Sequence, residues 1–79
     1  METSETDRLR EVFGEILRAK RKEQKLSQEE LAGRAGIAMR YVSLLECNKR
    51  QPTISTLYVL SRALGISMAE FVSEIEQKI

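Results

Sequence analysis

The sequence predicts an all-α fold, a compact five-helix bundle, on three observations. No segment of the 79 residues sustains the apolar–polar alternation that a half-buried strand needs. Apolar residues recur instead at helical spacing in five separate places. Between these places lie short breaks that carry glycine, proline or a hydroxyl residue suited to helix capping.

The first helix is expected from about Asp7 to Gln24, behind a flexible segment 1–6. Leu9, Val12, Phe13, Ile16 and Leu17 stand at i, i+3, i+4, i+7 and i+8 and form one apolar face. Glu5, Asp7 and Glu11 crowd its start and Arg18, Lys20, Arg21 and Lys22 its end, as the helix dipole favours. Ser27 followed by Glu30 is a capping box that opens the second helix, whose apolar stripe is Leu31, Ala32 and Ala35. Gly36, Ile37 and Ala38 leave room only for a sharp corner before the third helix, about Met39 to Glu46, with Val42 and Leu45 inward. Pro52 and Thr53 mark the next break. Ile54, Leu57, Leu60 and Leu64 then define a fourth helix stopped by Gly65. Ser67 and Glu70 form a second capping box, and Met68, Phe71, Val72, Ile75 and Ile79 are the apolar face of the fifth helix.

Two short helices meeting at such a corner, residues 27–46, form a helix-turn-helix, which presents its second helix to the major groove of DNA. The charge distribution agrees with this, although the net charge is only +1. Residues 1–17 carry −3, residues 18–50 carry +5 and residues 51–79 carry −1. The positive segment coincides with the helix-turn-helix, and a localised footprint matters more than the total.

Composition excludes several other classes. The length fits one domain, 1–79, with no room for a separate catalytic module. One cysteine, Cys47, allows no internal disulfide, which fits a reducing cytoplasm. Neighbouring cations could make Cys47 reactive; the plainer expectation is a partly covered side chain at a helix end. The uncharged run from Gln51 to Ser61 is far short of the roughly 18 apolar residues of a membrane span, and the acidic amino terminus is unlike a targeting signal. A cytoplasmic location is therefore expected. With no histidine, no nucleophile beside a base and no phosphate-cradling glycine loop, neither an enzyme nor a metal or cofactor is expected.

Four motifs, LSQEELAGRAGI (26–37), YVSLLE (41–46), NKRQPT (48–53) and LYVLSRALGIS (57–67), stand in one order and spacing. Together they resemble the Xre/Cro family of small helix-turn-helix regulators, which includes the phage repressors, from about Leu17 to Phe71. The resemblance implies that Gln28 holds a phosphate and that Met39, Arg40, Ser43 and Leu44 read base edges. It also implies that Asn48, Lys49, Arg50 and Gln51 grip phosphates and that Arg21 pairs with Glu46. The chemistry of the residues is compatible with these roles. Arg40 can donate two hydrogen bonds to a guanine, Met39 and Leu44 can pack on thymine methyls, and the Tyr41 hydroxyl can reach a phosphate.

This sequence departs from the family pattern at three positions. Ala38 stands where a Ser or Thr cap is frequent, at a cost of about 1 kcal/mol. Lys25 and Asn48 stand where glycine is frequent and are expected in the left-handed region.

The expected function is a sequence-specific transcriptional regulator that binds double-stranded DNA, at a palindromic operator, as a homodimer. The RYVS stretch is similar to that of restriction-modification controller proteins. For an activator, Glu29 and Glu30 are the candidates for touching RNA polymerase. The alternative is a protein-interaction module such as an antitoxin or anti-repressor partner, against which Arg40, Lys49 and Arg50 argue. Dimerisation is expected through the fifth helix, 67–79, with Phe71, Ile75 and Ile79 facing the second subunit and Met68 and Val72 sealing the bundle.

Overall fold

The computed structural model describes residues 3–79, with side chains described from Glu5 onward. It contains five helices, α1 (Thr3–Glu23), α2 (Gln28–Ala35), α3 (Met39–Glu46), α4 (Ile54–Ala63) and α5 (Met68–Lys78). Helix α1 starts four residues earlier than the apolar pattern suggests, so residues 3–6 of the expected flexible segment are helical; residues 1–2 lie outside the described residues. Polar contacts hold the turns that follow. Arg10 pairs with Asp7 and Arg8 with Glu11, each three residues apart on the helix surface. Arg8 Nη2 also donates to the Lys78 carbonyl at 3.0 Å, which ties the first turns of α1 to the end of α5.

Every helix contributes to one core, in which Val12, Leu17, Leu31, Val42, Leu45, Leu60 and Phe71 are fully enclosed. Two expected core positions lie at its margin instead. Leu9 and Ile54 are exposed, because the first turns of α1 and α4 run past the edge of the core. Helix α4 buries Thr56 and Ser61 alongside Leu57, Leu60 and Leu64.

Local chemistry sets the helix ends. Ser27 Oγ accepts from the Glu30 N–H at 3.0 Å, and the Glu30 carboxylate accepts from the Ser27 N–H at 2.8 Å, which completes the expected box. The second of these bonds holds the Glu30 carboxyl below the usual carboxylate range. At α5 only the hydroxyl half of the expected box is present, with Ser67 Oγ accepting from the Glu70 N–H at 3.0 Å. Ala38 offers α3 no side-chain cap. Gly36 turns the corner at φ 73°, and Lys25 and Asn48 adopt left-handed backbone at φ 59° and 65°.

The rotation of α5 differs from the expected one. Phe71 is 0% exposed and Ile75 is buried, so neither side chain is available to a second subunit. Val72, expected to seal the bundle, is 44% exposed. The cause lies on α1. The Phe13 ring stacks on Phe71 with centroids 5.3 Å apart, and Lys20 Nζ meets Glu74 Oε2 at 2.7 Å. With Phe71 turned onto Phe13, Ile75 follows inward one turn later. Val72, rotated by about 100° from its neighbour, points out.

Gly14 is the point of closest approach between α1 and α3. A Cβ there would stand 2.7 Å from Asn48 Oδ1 and 2.8 Å from the Leu45 carbonyl oxygen, which is backbone and cannot swing aside. Gly33 on α2, by contrast, has nothing within 4 Å of such a Cβ. Thermal unfolding of the two alanine variants should therefore give opposite signs. Gly14→Ala is expected to destabilise by about 1–2 kcal/mol, overpacking outweighing helix propensity. Gly33→Ala is expected to stabilise by about 0.5–1 kcal/mol. Equal shifts would show that α1 and α3 are further apart in solution.

Candidate nucleic-acid interface

Helix α3 turns one side inward through Val42 and Leu45 and leaves its amino-terminal end to solvent. Met39 and Arg40 are exposed there, and Ser43 and Leu44, one turn further on, are half-buried. The four residues expected to read bases therefore differ in reach. The first two stand out from the surface and the second two lie at its level.

The segment after α3 is held to the helix by its own backbone. The Lys49 N–H bonds to the Leu44 carbonyl at 2.9 Å and the Asn48 N–H to the Leu45 carbonyl at 3.3 Å. With Asn48 left-handed this is a Schellman-type ending. It carries Asn48, Lys49, Arg50 and Gln51, all exposed, in a fixed relation to Met39 and Arg40. Arg40, Lys49 and Arg50 make no ion pair among the described residues, whereas Arg8, Arg10, Lys20 and Arg21 are each held by a carboxylate. The surface of α3 and its loop thus keeps uncompensated positive charge, which attracts phosphate.

Beneath this surface Arg21 and Glu46 pair as expected, in a two-pronged arrangement. Arg21 Nε donates to Glu46 Oε2 at 2.7 Å, Nη2 to Oε1 at 2.9 Å, and Nη1 to the Leu26 carbonyl at 2.8 Å. The side chains are only 10% and 3% exposed. The bonds to Glu46 push the Arg21 guanidinium above its already high range. The bridge joins the end of α1 to the end of α3.

Two expected phosphate contacts have partners within the chain. Gln28 Nε2 donates to Glu46 Oε1 at 3.0 Å, and the Tyr41 hydroxyl lies 3.5 Å from Thr56 Oγ1. Cys47, expected partly covered, is exposed, because it sits at the C-cap beyond the last turn of α3. Among the described residues no His, Cys, Asp and Glu cluster could hold a metal, and no helix is long and apolar enough to cross a membrane.

Three features had weak sequence signals or none. Gly14 lies beside the apolar face inside a helix, which is a visible clue because glycine weakens a helix. The Gln28–Glu46 bond joins residues far apart in sequence that carry no pairing signal. The third is an exposed stripe on α4, where Ile54 and Tyr58 face solvent and the Arg62 guanidinium lies 5.7 Å from the Tyr58 ring centroid.

A sharp-cornered helix pair with an exposed second helix and a fixed basic loop defines a helix-turn-helix protein. The helix-turn-helix family HTH_3 matches residues 17–71, and the chain belongs to this Xre-like family of transcriptional regulators. It is 39% identical over 69 residues to the HTH-type transcriptional regulator y4dJ of Sinorhizobium fredii, covering 87% of this chain and 90% of that one. It is 34% identical over 65 residues to the control protein C.SmaI of Serratia marcescens, covering 82% and 77%. Among solved structures, the restriction-modification controller protein C.Esp1396I, a tetramer in complex with its natural 35 base-pair operator, superposes with a TM-score of 0.81. That match has 26% identity and covers 89% of this chain and 92% of the other.

Proposed function

We propose that the chain regulates transcription by binding a palindromic operator in double-stranded DNA as a homodimer, in the manner of a restriction-modification controller protein. The observation that carries this reading is the unpaired cationic surface of Arg40, Lys49 and Arg50, held rigid by the loop's backbone bonds and the Arg21–Glu46 bridge. The likeness to C.SmaI, and to C.Esp1396I on its operator, supports it. Met39 and Arg40 enter the major groove first, with Ser43 and Leu44 behind them. Lys49, Arg50, Asn48 and Gln51 meet the flanking phosphates. Two copies about one helical turn apart, roughly 34 Å, then read the two half-sites. Were the bound protein an activator, Glu29 would be the acidic residue of α2 left to meet RNA polymerase, since Glu30 closes the capping box.

Binding to matched and scrambled duplexes over a range of salt tests the base-reading assignment. Arg40→Ala is expected to cost about 1–3 kcal/mol on the operator and to relax preference at one guanine. Lys49→Ala and Arg50→Ala should weaken all sequences alike and flatten the salt slope by about one unit each. A uniform loss in Arg40→Ala would overturn the role given to the start of α3.

With Phe71 and Ile75 in the core, the partner surface on α5 is its outer side, Val72 and the 61% exposed Ile79, continued onto α1 by Leu9. A groove of about 250 Å³ runs along this surface, its rim formed by Leu9 and Arg10 of α1, Gln51 and Pro52 before α4, and Val72 of α5. Ile79→Asp and Val72→Asp are expected to stay folded by circular dichroism but sediment as monomers and bind the operator weakly. If Ile54→Asp or Tyr58→Asp gives the monomer instead, the two-fold axis runs through the exposed stripe on α4.

A further inference from the structure

We infer that Glu46 is a positioning residue for DNA binding, which aims the side-chain amide of Gln28 at a phosphate. The inference rests on the reading of α2 and α3 as the DNA-binding surface. It starts from the three donors gathered on one buried carboxylate. Glu46 Oε2 takes Arg21 Nε, and Oε1 takes both Arg21 Nη2 and Gln28 Nε2. An ionised carboxylate only accepts hydrogen bonds, so Gln28 has to present its NH₂ group and not its carbonyl to Glu46. That fixes which way the amide faces. One N–H is used on Glu46, and the second, some 120° away on the same nitrogen, is left for an anionic oxygen.

Gln28 is half-buried at the first position of α2, the helix that precedes the exposed α3, so part of its side chain stays open to an approaching phosphate. Without the carboxylate the amide could flip and offer its carbonyl oxygen to the phosphate, which repels it. Arg21 has a second part in this arrangement. By neutralising Glu46 it allows a carboxylate to sit close to DNA without repelling the backbone. Since Glu46 ends α3, the same carboxylate links the phosphate contact of α2 to the placement of the base-reading helix.

The test is a double-mutant cycle with Gln28→Ala and Glu46→Gln, read as operator affinity and as the ratio to a scrambled duplex. Each single variant should lose about tenfold on the operator, the scale of a hydrogen bond to a charged group. The double variant should lose little more than either, because each change removes the same contact. The scrambled duplex should lose by the same factor in both single variants, leaving the ratio unchanged, since a phosphate contact carries no sequence information. Circular dichroism should stay that of the wild type; a general loss of fold would remove the helix signal. Losses that multiply to about a hundredfold, or a Gln28→Ala variant that binds as the wild type, would overturn the inference. Should Glu46→Gln fail to fold, the Gln28 side-chain amide protons of ¹⁵N-labelled wild type decide the matter. One is expected to be protected from exchange in the free protein and both on the operator, and two freely exchanging protons in both states would overturn it. A wild type with no sequence preference at all would instead remove the DNA-binding reading beneath it.

Discussion

Phe71→Asp is expected to abolish folding, not to leave a folded monomer. The Phe71 ring is fully enclosed and stacked on Phe13, so its removal alone costs about 3–5 kcal/mol. An unpaired carboxylate in the same place adds a desolvation cost of several kcal/mol. A whole domain of this kind has about 5–15 kcal/mol of stability, and a small one lies near the lower end. Far-ultraviolet circular dichroism at 25 °C should show an unfolded chain. Val72→Asp, one residue along and facing solvent, should keep its helix signal and stay within about 1 kcal/mol of the wild type. The pair of variants measures the rotation of α5, and a folded Phe71→Asp protein would show that the helix is turned the other way.

Breaking the Arg21–Glu46 bridge is expected to have the next largest effect. Arg21→Ala leaves a carboxylate that is 3% exposed with Gln28 as its remaining partner, and Glu46→Ala leaves a guanidinium bound only to the Leu26 carbonyl. Each should destabilise by about 3 kcal/mol, because the charge left behind stays desolvated. The double alanine variant should lose clearly less than the two losses added together, and the difference is the coupling of the pair. Denaturant unfolding of the four proteins measures it. Additive losses would mean that the charges do not meet in solution.

Most of the architecture was legible because local chemistry decides it. The Ser27–Glu30 box and the corner at Gly36 depend on residues within a few positions of one another, whereas the left-handed Lys25 and Asn48 were expected from the family's glycines. The Arg21–Glu46 bridge, 25 residues apart, has no local signal and became visible only through the family pattern. The start of α1 was misplaced for a different reason. Residues 3–6 are polar and extend the helix ahead of its apolar face, so an apolar pattern does not contain them.

Within the candidate site, the positions of Met39 and Arg40 and of the basic loop came from the resemblance, and their exposure agrees with the third helix's inward pair, Val42 and Leu45. Ser43 and Leu44 proved half-buried, and Gln28 and Tyr41 proved engaged with Glu46 and Thr56, because such contacts depend on how far apart the helices stand. Gly14 permits that spacing between α1 and α3, since a Cβ there would meet the Leu45 carbonyl and the Asn48 side chain, and no periodicity reports this.

By itself the sequence determined five helices, their caps, the helix-turn-helix and a positive middle segment, since each depends on spacing and charge along the chain. Only the tertiary structure decided which flank of the fifth helix faces inward. Met68, Phe71, Val72, Ile75 and Ile79 span about 100° of the helix surface with Phe71 at one edge and Val72 at the other, so periodicity alone does not say which edge turns inward. The choice falls to Phe71 because Phe13 and Lys20 on α1 stand opposite it and Glu74, and partners so distant in sequence meet only once the helices have packed.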